Sequence, residues 1–166
     1  MKVLIIDDEP AIRRALKEIL EFEACVVFEA ENGKVGLELA KTSSFDLIFC
    51  DIKMPLMDGI EVLQAFRKEE IEAPVIMISG HGTVETAVQA IKKGAFDFIE
   101  KPLDLNRILV TLRNVKDRQI LVQETKVLKK IVQKIKGTTI IGESEEILKI
   151  KAIIEKVAPS DARVLI

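Results

Sequence analysis

The sequence has no Trp or Tyr, one His, and only two Cys, eight Gly and five Pro among its 166 residues. Cys25 and Cys50 lie in apolar segments without a Cys or His at metal-ligand spacing, so we expect two buried, reduced thiols. No apolar run approaches the roughly 20 residues of a membrane span, and no export leader is recognised. We therefore expect a cytoplasmic protein without membrane contact, built from one well-buried domain and a smaller second part.

Charge is distributed unevenly along the chain. Residues 1–112 contain 13 basic and 20 acidic side chains, whereas residues 113–136 contain 8 basic and 2 acidic ones. This change predicts that a folded domain gives way to a connector near residue 113. No aromatic residue or DNA-binding motif accompanies the basic side chains, which favours solvated helix faces over a nucleic-acid site.

Short apolar runs alternate five times with helical patterns over the first 100 residues, which predicts a βαβ series. The near-continuous apolarity of the runs is typical of parallel strands that are buried on both faces. We expect an open, doubly wound α/β sheet of five parallel strands. The predicted strands are residues 3–7, 25–30, 47–50, 74–79 and 96–100, and the predicted helix caps are Asp8, Asn32, Asp58, Thr83 and Asp104.

Polar residues lie at the ends of four of the predicted strands. Asp7 and Asp8 are at the end of the first strand, Asp51 at the end of the third, Ser79 at the end of the fourth and Lys101 at the end of the fifth. Ligands of such sheets bind beyond the carboxyl ends of the strands. If the strand order is 2-1-3-4-5, the first and third strands are neighbours, and three carboxylates converge at one crevice.

The chemistry of this set favours phosphoryl transfer. Three neighbouring carboxylates repel one another unless a cation compensates, and oxygen ligands suit Mg²⁺. Lys101 can neutralise a phosphoryl group, Ser79 can hydrogen-bond one of its oxygens, and a carboxylate beside a metal can attack phosphorus. A single Asp at a strand end, such as Asp8 or Asp58, is more simply a helix cap, so the inference depends on the whole set.

Residues 1 to about 118 resemble the receiver domain of two-component response regulators, on the motifs IIDDEP, FCDIKMPLMDGIE, MISGHGT and FIEKPLD. The resemblance implies a flavodoxin-like (CheY-like) fold with strand order 2-1-3-4-5. It also implies that Asp51 is phosphorylated, that Asp8 and Asp51 bind Mg²⁺ directly, that Asp7 acts mainly through water, and that the Lys53 carbonyl is a further ligand.

The same resemblance implies that Ser79 and Lys101 hold the phosphoryl oxygens. Phe98 occupies the position of a switch aromatic that swings inward when Ser79 moves, although it is equally interpretable as a core residue. The bond between Lys101 and Pro102 corresponds to a site that is often cis in this family.

From Asp104 to about Ile135 no Gly or Pro interrupts a helical pattern. We expect the last receiver helix to continue through a linker over residues 104–136, as a rod of roughly 50 Å. Two apolar series lie along it, and no single heptad frame joins them, which predicts a short or interrupted coiled coil. The series are Leu105, Ile108, Leu112 and Val115, and then Leu121, Leu128, Ile131 and Ile135.

Residues 137–166 resemble the entry into the AAA+ ATPase domain of NtrC-type activators, which act on the sigma-54 form of RNA polymerase. Ser144 is a predicted helix cap, and residues 162–166 are a predicted strand. The sequence has no G-x-x-x-x-G-K-[ST] motif, so we expect no ATP binding by that route. The expectation is a shortened regulator whose ATPase and DNA-binding parts are missing.

These features predict a regulatory switch. A sensor histidine kinase would phosphorylate Asp51, and the added charge would reorganise the loop at Ser79 and the face formed by the fourth helix, fifth strand and fifth helix. That face and the linker helix would control homodimerisation. The protein would catalyse only its own phosphorylation and dephosphorylation. Whether phosphorylation relieves inhibition or promotes assembly stays open.

Two other functions fit the sequence less well. An aspartyl-phosphate phosphatase that uses Asp51 as its nucleophile usually has a second Asp two residues later, where this chain has Lys53. A flavin-binding protein would need a hydroxyl-rich phosphate loop after the first strand. The chain has the acidic sequence DDEP there, whose charge would repel the cofactor's phosphate.

Overall fold

The computed structural model describes residues 1–80, 83–136, 142 and 144–157. The chain divides into two compact units, Met1–Arg118 and Gln119–Ile166. The elements in chain order are β1 (Lys2–Ile6), α1 (Pro10–Phe22), β2 (Val26–Ala30), α2 (Gly33–Thr42), β3 (Leu47–Asp51), α3 (Gly59–Lys68), β4 (Val75–Ser79), α4 (Val84–Lys92), β5 (Asp97–Glu100), α5 (Leu105–Lys136) and α6 (Glu145–Val157).

The five strands form one parallel sheet in the order β2-β1-β3-β4-β5, which confirms the predicted fold and strand order. The strand bounds differ from the predicted ones by about one residue. β1 ends at Ile6, so Asp7 lies just beyond it, and Asp51 is the last residue of β3. Because β1 and β3 are parallel neighbours, both aspartates lie at the same edge of the sheet.

Alternate residues of each strand pack on opposite faces of the sheet, as the two-residue period of a strand requires. Leu4 and Ile6 of β1 belong to a core that includes Phe66 of α3. Val3 and Ile5 belong to a second core, which includes side chains of α1 and α5. Both faces are therefore covered, as the near-continuous apolarity of the strands predicted.

The helix caps are confirmed except at α1. There the N-cap residue is Glu9, and Pro10 occupies the first turn, where its missing N–H is not needed. The prediction that Asp8 caps this helix is therefore wrong, and Asp8 is exposed. Four predicted caps are confirmed because their side chains accept a backbone N–H from the first turn of the helix. These caps are Asn32, Asp58, Thr83 and Asp104.

Helix α5 extends to Lys136 without interruption, as predicted. In the first unit, Ile108, Leu112 and Val115 are buried in the core. In the second unit, side chains farther along α5, including Leu121 and Leu128, are exposed. The change of heptad frame therefore falls between the buried residues of the first unit and the exposed residues of the second.

Helix α6 begins after Ser144, whose hydroxyl accepts the N–H of Ile147 at 3.4 Å, so this predicted cap is confirmed. The predicted strand at 162–166 and the side chains of Ile131 and Ile135 lie outside the described part of the chain. Cys25 and Cys50 are buried free thiols, as expected. Among the described helices, none has the length and apolarity to cross a membrane.

Candidate functional site

The residues at the carboxyl ends of four adjacent strands converge on one edge of the sheet. Asp7 follows β1, Asp51 ends β3, Ser79 ends β4 and Lys101 follows β5. The first three of these side chains are almost completely buried. Only 12% of the Lys101 side chain is exposed. The fold thus holds the ionisable side chains of Asp7, Asp51 and Lys101 with little exposure to solvent.

The ammonium of Lys101 joins the carboxylates at this edge. Its Nζ lies 2.9 Å from Asp51 Oδ1 and 3.1 Å from Asp7 Oδ2. It also lies 2.7 Å from Glu9 Oε1, a contact that the sequence did not predict. The close approach to Asp7 lacks hydrogen-bond geometry, so Asp7 Oδ2 is a buried oxygen without a hydrogen bond in the described structure.

Burial dominates the electrostatics of both carboxylates. It raises the pKa of Asp51, while the hydrogen bond from Lys101 opposes the rise and the charge of Asp7 adds to it. Burial likewise raises the pKa of Asp7, against the N–H of Glu9 and the ammonium of Lys101. Burial alone would lower the pKa of Lys101, but its carboxylate partners raise it above its ordinary value. The site therefore favours additional positive charge.

The donor atoms suit a hard divalent cation. Asp7 and Asp51 offer carboxylate oxygens, and the Asp7 oxygen without a hydrogen bond is available to a ligand. Among the described residues, no group of three His, Cys, Asp or Glu side chains is arranged to hold a metal. Asp8 is exposed, and Lys53 contributes its backbone N–H to Asp51. Metal ligation by Asp8 and by the Lys53 carbonyl stays a prediction.

The loop after β3 is held close to Asp51. The Gly59 N–H donates to the carbonyl of Ile52 at 2.8 Å. The carboxylate of Asp58 accepts the N–H of Glu61, whose side chain in turn accepts the N–H of Asp58, so the two residues form a capping box. The interpretation of Asp58 as a helix cap is confirmed. Helix α3 therefore begins directly against the backbone of the candidate phosphoacceptor.

Two residues that sequence reasoning missed also belong to the site. Glu9 contacts Lys101, and the guanidinium of Arg13 donates to the carbonyl of Asp7 at 2.8 Å. Arg13 also lies 3.7 Å from the carboxylate of Glu29 on β2. The position of Glu9 directly after the acidic pair could have indicated that this residue belongs to the site. The spacing of Arg13 on α1 gave no comparable signal.

The structure describes two further features that the family resemblance singled out, the Lys101–Pro102 peptide bond and the side chain of Phe98. The peptide bond between Lys101 and Pro102 is cis, and the Lys101 N–H donates to the Ser79 carbonyl at 2.8 Å. Phe98 is partly buried and packs against the core that contains Leu4 and Ile6. The turn after β5 is thus tied to the end of β4.

Comparison with known proteins identifies the family. Residues 3–113 match the model of the response regulator receiver domain. The chain belongs to this family. It is 39% identical to the nitrogen assimilation regulatory protein NtrX of Azorhizobium caulinodans over 166 residues, which cover 99% of this chain and 36% of that protein. It is 36% identical to the regulatory protein AtoC of Escherichia coli over 123 residues, which cover 74% of this chain and 27% of that protein.

Solved structures agree with this assignment. A crystal structure of NtrX from Brucella abortus matches with a TM-score of 0.72 and 34% identity, over 98% of this chain and 36% of that one. The chain spans about a third of the length of the NtrX relatives it matches. Receiver domains are signalling switches that receive their signal from histidine kinases and in general bind Mg²⁺ for phosphorylation.

Proposed function

We propose that this receiver accepts a phosphoryl group on Asp51 from a sensor histidine kinase, in a reaction that depends on Mg²⁺. The observation that supports the proposal most strongly is the contact of one ammonium, that of Lys101, with the buried carboxylates of Asp51 and Asp7 at 2.9 and 3.1 Å. In this proposal Asp51 is the nucleophile, Lys101 is the cation that binds the phosphoryl group, and Asp7 is an oxygen donor for the metal.

In this reaction an Asp51 carboxylate oxygen attacks the phosphorus of a phosphohistidine. The new O–P bond forms as the P–N bond breaks, and the electron pair stays on the imidazole nitrogen, which takes up a proton. Lys101 and the Ser79 hydroxyl contact the phosphoryl oxygens. Bound Mg²⁺, held by Asp7, Asp8, Asp51 and the Lys53 carbonyl, would offset the charge of the transferred group.

The phosphoryl group is later lost by hydrolysis. A water oxygen attacks the phosphorus, the bond to Asp51 breaks, and its electron pair returns to the carboxylate. Phosphate leaves, and the site is restored. The protein thus acts on its own side chain and on no external substrate.

The direct test is to incubate the protein with Mg²⁺ and acetyl phosphate and to measure its intact mass. We expect one phosphoryl adduct per chain. The adduct should be absent from Asp51→Asn and present in Ser144→Ala, in which the substitution lies at the cap of α6. A wild-type protein that gains no adduct would contradict the proposal.

We infer that phosphorylation controls homodimerisation. Helix α4 exposes Val84, Val88 and Ile91 at helical spacing, on an element of the predicted α4-β5-α5 face. Within the second unit, α5 exposes Leu121 and Leu128, which are seven residues apart. Exposed apolar residues with this period suit pairing with a second helix. Each surface is therefore a candidate for contact between two copies.

We further infer that the chain belongs to a transcription activator that works in the cytoplasm with the sigma-54 form of RNA polymerase. The similarity to NtrX covers nearly the whole chain and so extends past the receiver. In this proposal residues 1–118 are the receiver, 104–136 continue its last helix as a linker, and 137–166 begin an AAA+ ATPase domain. Contacts with polymerase and DNA would require further domains.

Sedimentation with and without beryllofluoride and Mg²⁺ tests the switch. Beryllofluoride is a phosphoryl mimic, and it should change the monomer–dimer equilibrium of the wild type but not that of Asp51→Asn. An unchanged mass of the wild type under both conditions would count against phosphorylation-controlled assembly.

A further inference from the structure

Glu9 is the carboxylate that makes the shortest contact with Lys101. Its Oε1 lies 2.7 Å from Nζ with hydrogen-bond geometry, compared with 2.9 Å for Asp51 and 3.1 Å for Asp7. A lysine ammonium has three N–H donors. Glu9 accepts one of them in a hydrogen bond, and the carboxylates of Asp7 and Asp51 lie beside the same ammonium as ion-pair partners.

The three carboxylates differ in their freedom to move. Asp7 and Asp51 are buried at the ends of adjacent strands, whereas 58% of the Glu9 side chain is exposed. A phosphoryl group on Asp51 brings additional oxygens to Lys101. Because Glu9 can turn toward water at little cost, it is the partner that can release the ammonium.

We propose that Glu9 is a positioning residue that occupies Lys101 in the unphosphorylated state and must yield it to the phosphoryl group. This inference rests on the proposed function of Asp51. A contact that stabilises the starting state more than the transition state slows the reaction. The negative charge of Glu9 beside Lys101 also opposes the approach of an anionic donor. Glu9 thus restrains phosphorylation.

Burial lowers the pKa of Lys101, but the hydrogen bond that Lys101 donates to Glu9 raises it, more than the contacts with Asp51 and Asp7 do. This agrees with the distances. The effect of removing it should nevertheless be moderate, because an ion pair with an exposed partner is weakened by solvent. A change of about two- to five-fold is the size expected from such pairs.

The test compares wild type with Glu9→Gln in two measurements. With Mg²⁺ and acetyl phosphate, the rate of phosphoryl uptake by the variant should rise about two- to five-fold. At equilibrium, calorimetric titration with beryllofluoride and Mg²⁺ should show affinity raised by a similar factor. Glu9→Asp keeps the charge and should return both values toward those of the wild type.

Glu69→Gln is the matched control, because Glu69 pairs with Lys41 at 3.1 Å and is also partly exposed. It should change neither measurement. The Glu9 inference is overturned if Glu9→Gln behaves as the wild type does, or if Glu69→Gln produces the same change. If the wild type itself takes up no phosphoryl group and binds no beryllofluoride, the proposed function of Asp51 fails first and the inference fails with it.

Discussion

The α-carbon of Gly59 lies against the backbone carbonyl of Asp51, so a Cβ at position 59 would overlap that oxygen. The collision would involve backbone atoms, including the α-carbon of Ile52. A flexible side chain could move aside, but this contact is relieved only if α3 or the end of β3 shifts. The glycine is therefore required by the close approach of the helix to the phosphoacceptor.

Gly59→Ala should lower the free energy of unfolding by about 1–3 kcal/mol and slow phosphoryl uptake, because the added methyl group displaces Asp51. Urea unfolding and intact-mass kinetics measure the two effects. Gly80→Ala is the control for the stability measurement, since a Cβ there would meet only Lys101 Cδ, at the ordinary contact distance of 3.8 Å. Equal stability of the two variants would show that the backbone contact does not matter.

Asp51→Asn should stabilise the protein at neutral pH when no Mg²⁺ is present. Burial raises the pKa of Asp51 above its ordinary value of 3.8. The stability that this carboxyl group contributes is fully present below pH 3.8 and is lost as the pH rises through the folded-state pKa. At pH 7 the ionised group therefore destabilises the fold. Asparagine removes that charge, and we expect the free energy of unfolding to rise.

Urea unfolding in the presence of a chelator, at pH 7 and below pH 3.8, measures this dependence. The gain of Asp51→Asn over the wild type should shrink at the acidic pH, where the aspartate is protonated. Asp117→Asn, at an exposed position of α5, should show no comparable gain. A variant that is less stable than the wild type at pH 7 would mean that Lys101 more than offsets the burial of the carboxylate.

The residues at the strand ends were predictable because apolar runs identify buried parallel strands, and parallel strands have their carboxyl ends on the same side of the sheet. Asp7 and Lys101 follow such strands, Asp51 ends one, and the sheet brings the three together. Glu9 was missed because it meets Lys101 across 92 positions of sequence, a contact that no local period encodes. Asp8 was predicted to cap α1 from its place beside Glu9 and Pro10, but Pro10 sets the first turn and Glu9 becomes the cap.

Helix α5 shows a second limit of sequence reasoning. The residues Ile108, Leu112 and Val115 share a helical face with one another but not a heptad frame with Leu121 and Leu128. The structure explains the mismatch, because the first set packs on the sheet and the second is exposed. Periodicity revealed two apolar faces, and only the packing of the sheet showed which one belongs to the core.

Mg²⁺ should stabilise the wild type by binding to the folded state. At a concentration ten times its Kd, the expected gain in the free energy of unfolding is about 1.4 kcal/mol. Asp51→Asn should lose most of this gain. Asp58→Asn should keep it, because Asp58 caps α3 and asparagine is also a good cap. Urea unfolding with and without Mg²⁺ measures the difference, and an equal loss in both variants would assign Asp58 to the metal site.

The exposed leucines of α5 should support self-association. Leu121 and Leu128 are 62% and 61% exposed and lie seven residues apart, the spacing of a helix-pairing seam. Burying one such side chain contributes about 1.5–3 kcal/mol. Replacing both with Lys should therefore weaken dimerisation at least about ten-fold, as measured by sedimentation equilibrium over a range of concentrations. Leu148→Lys on α6, where the leucine is similarly exposed, is the control. If the double variant associates as strongly as the wild type, pairing through this seam is excluded.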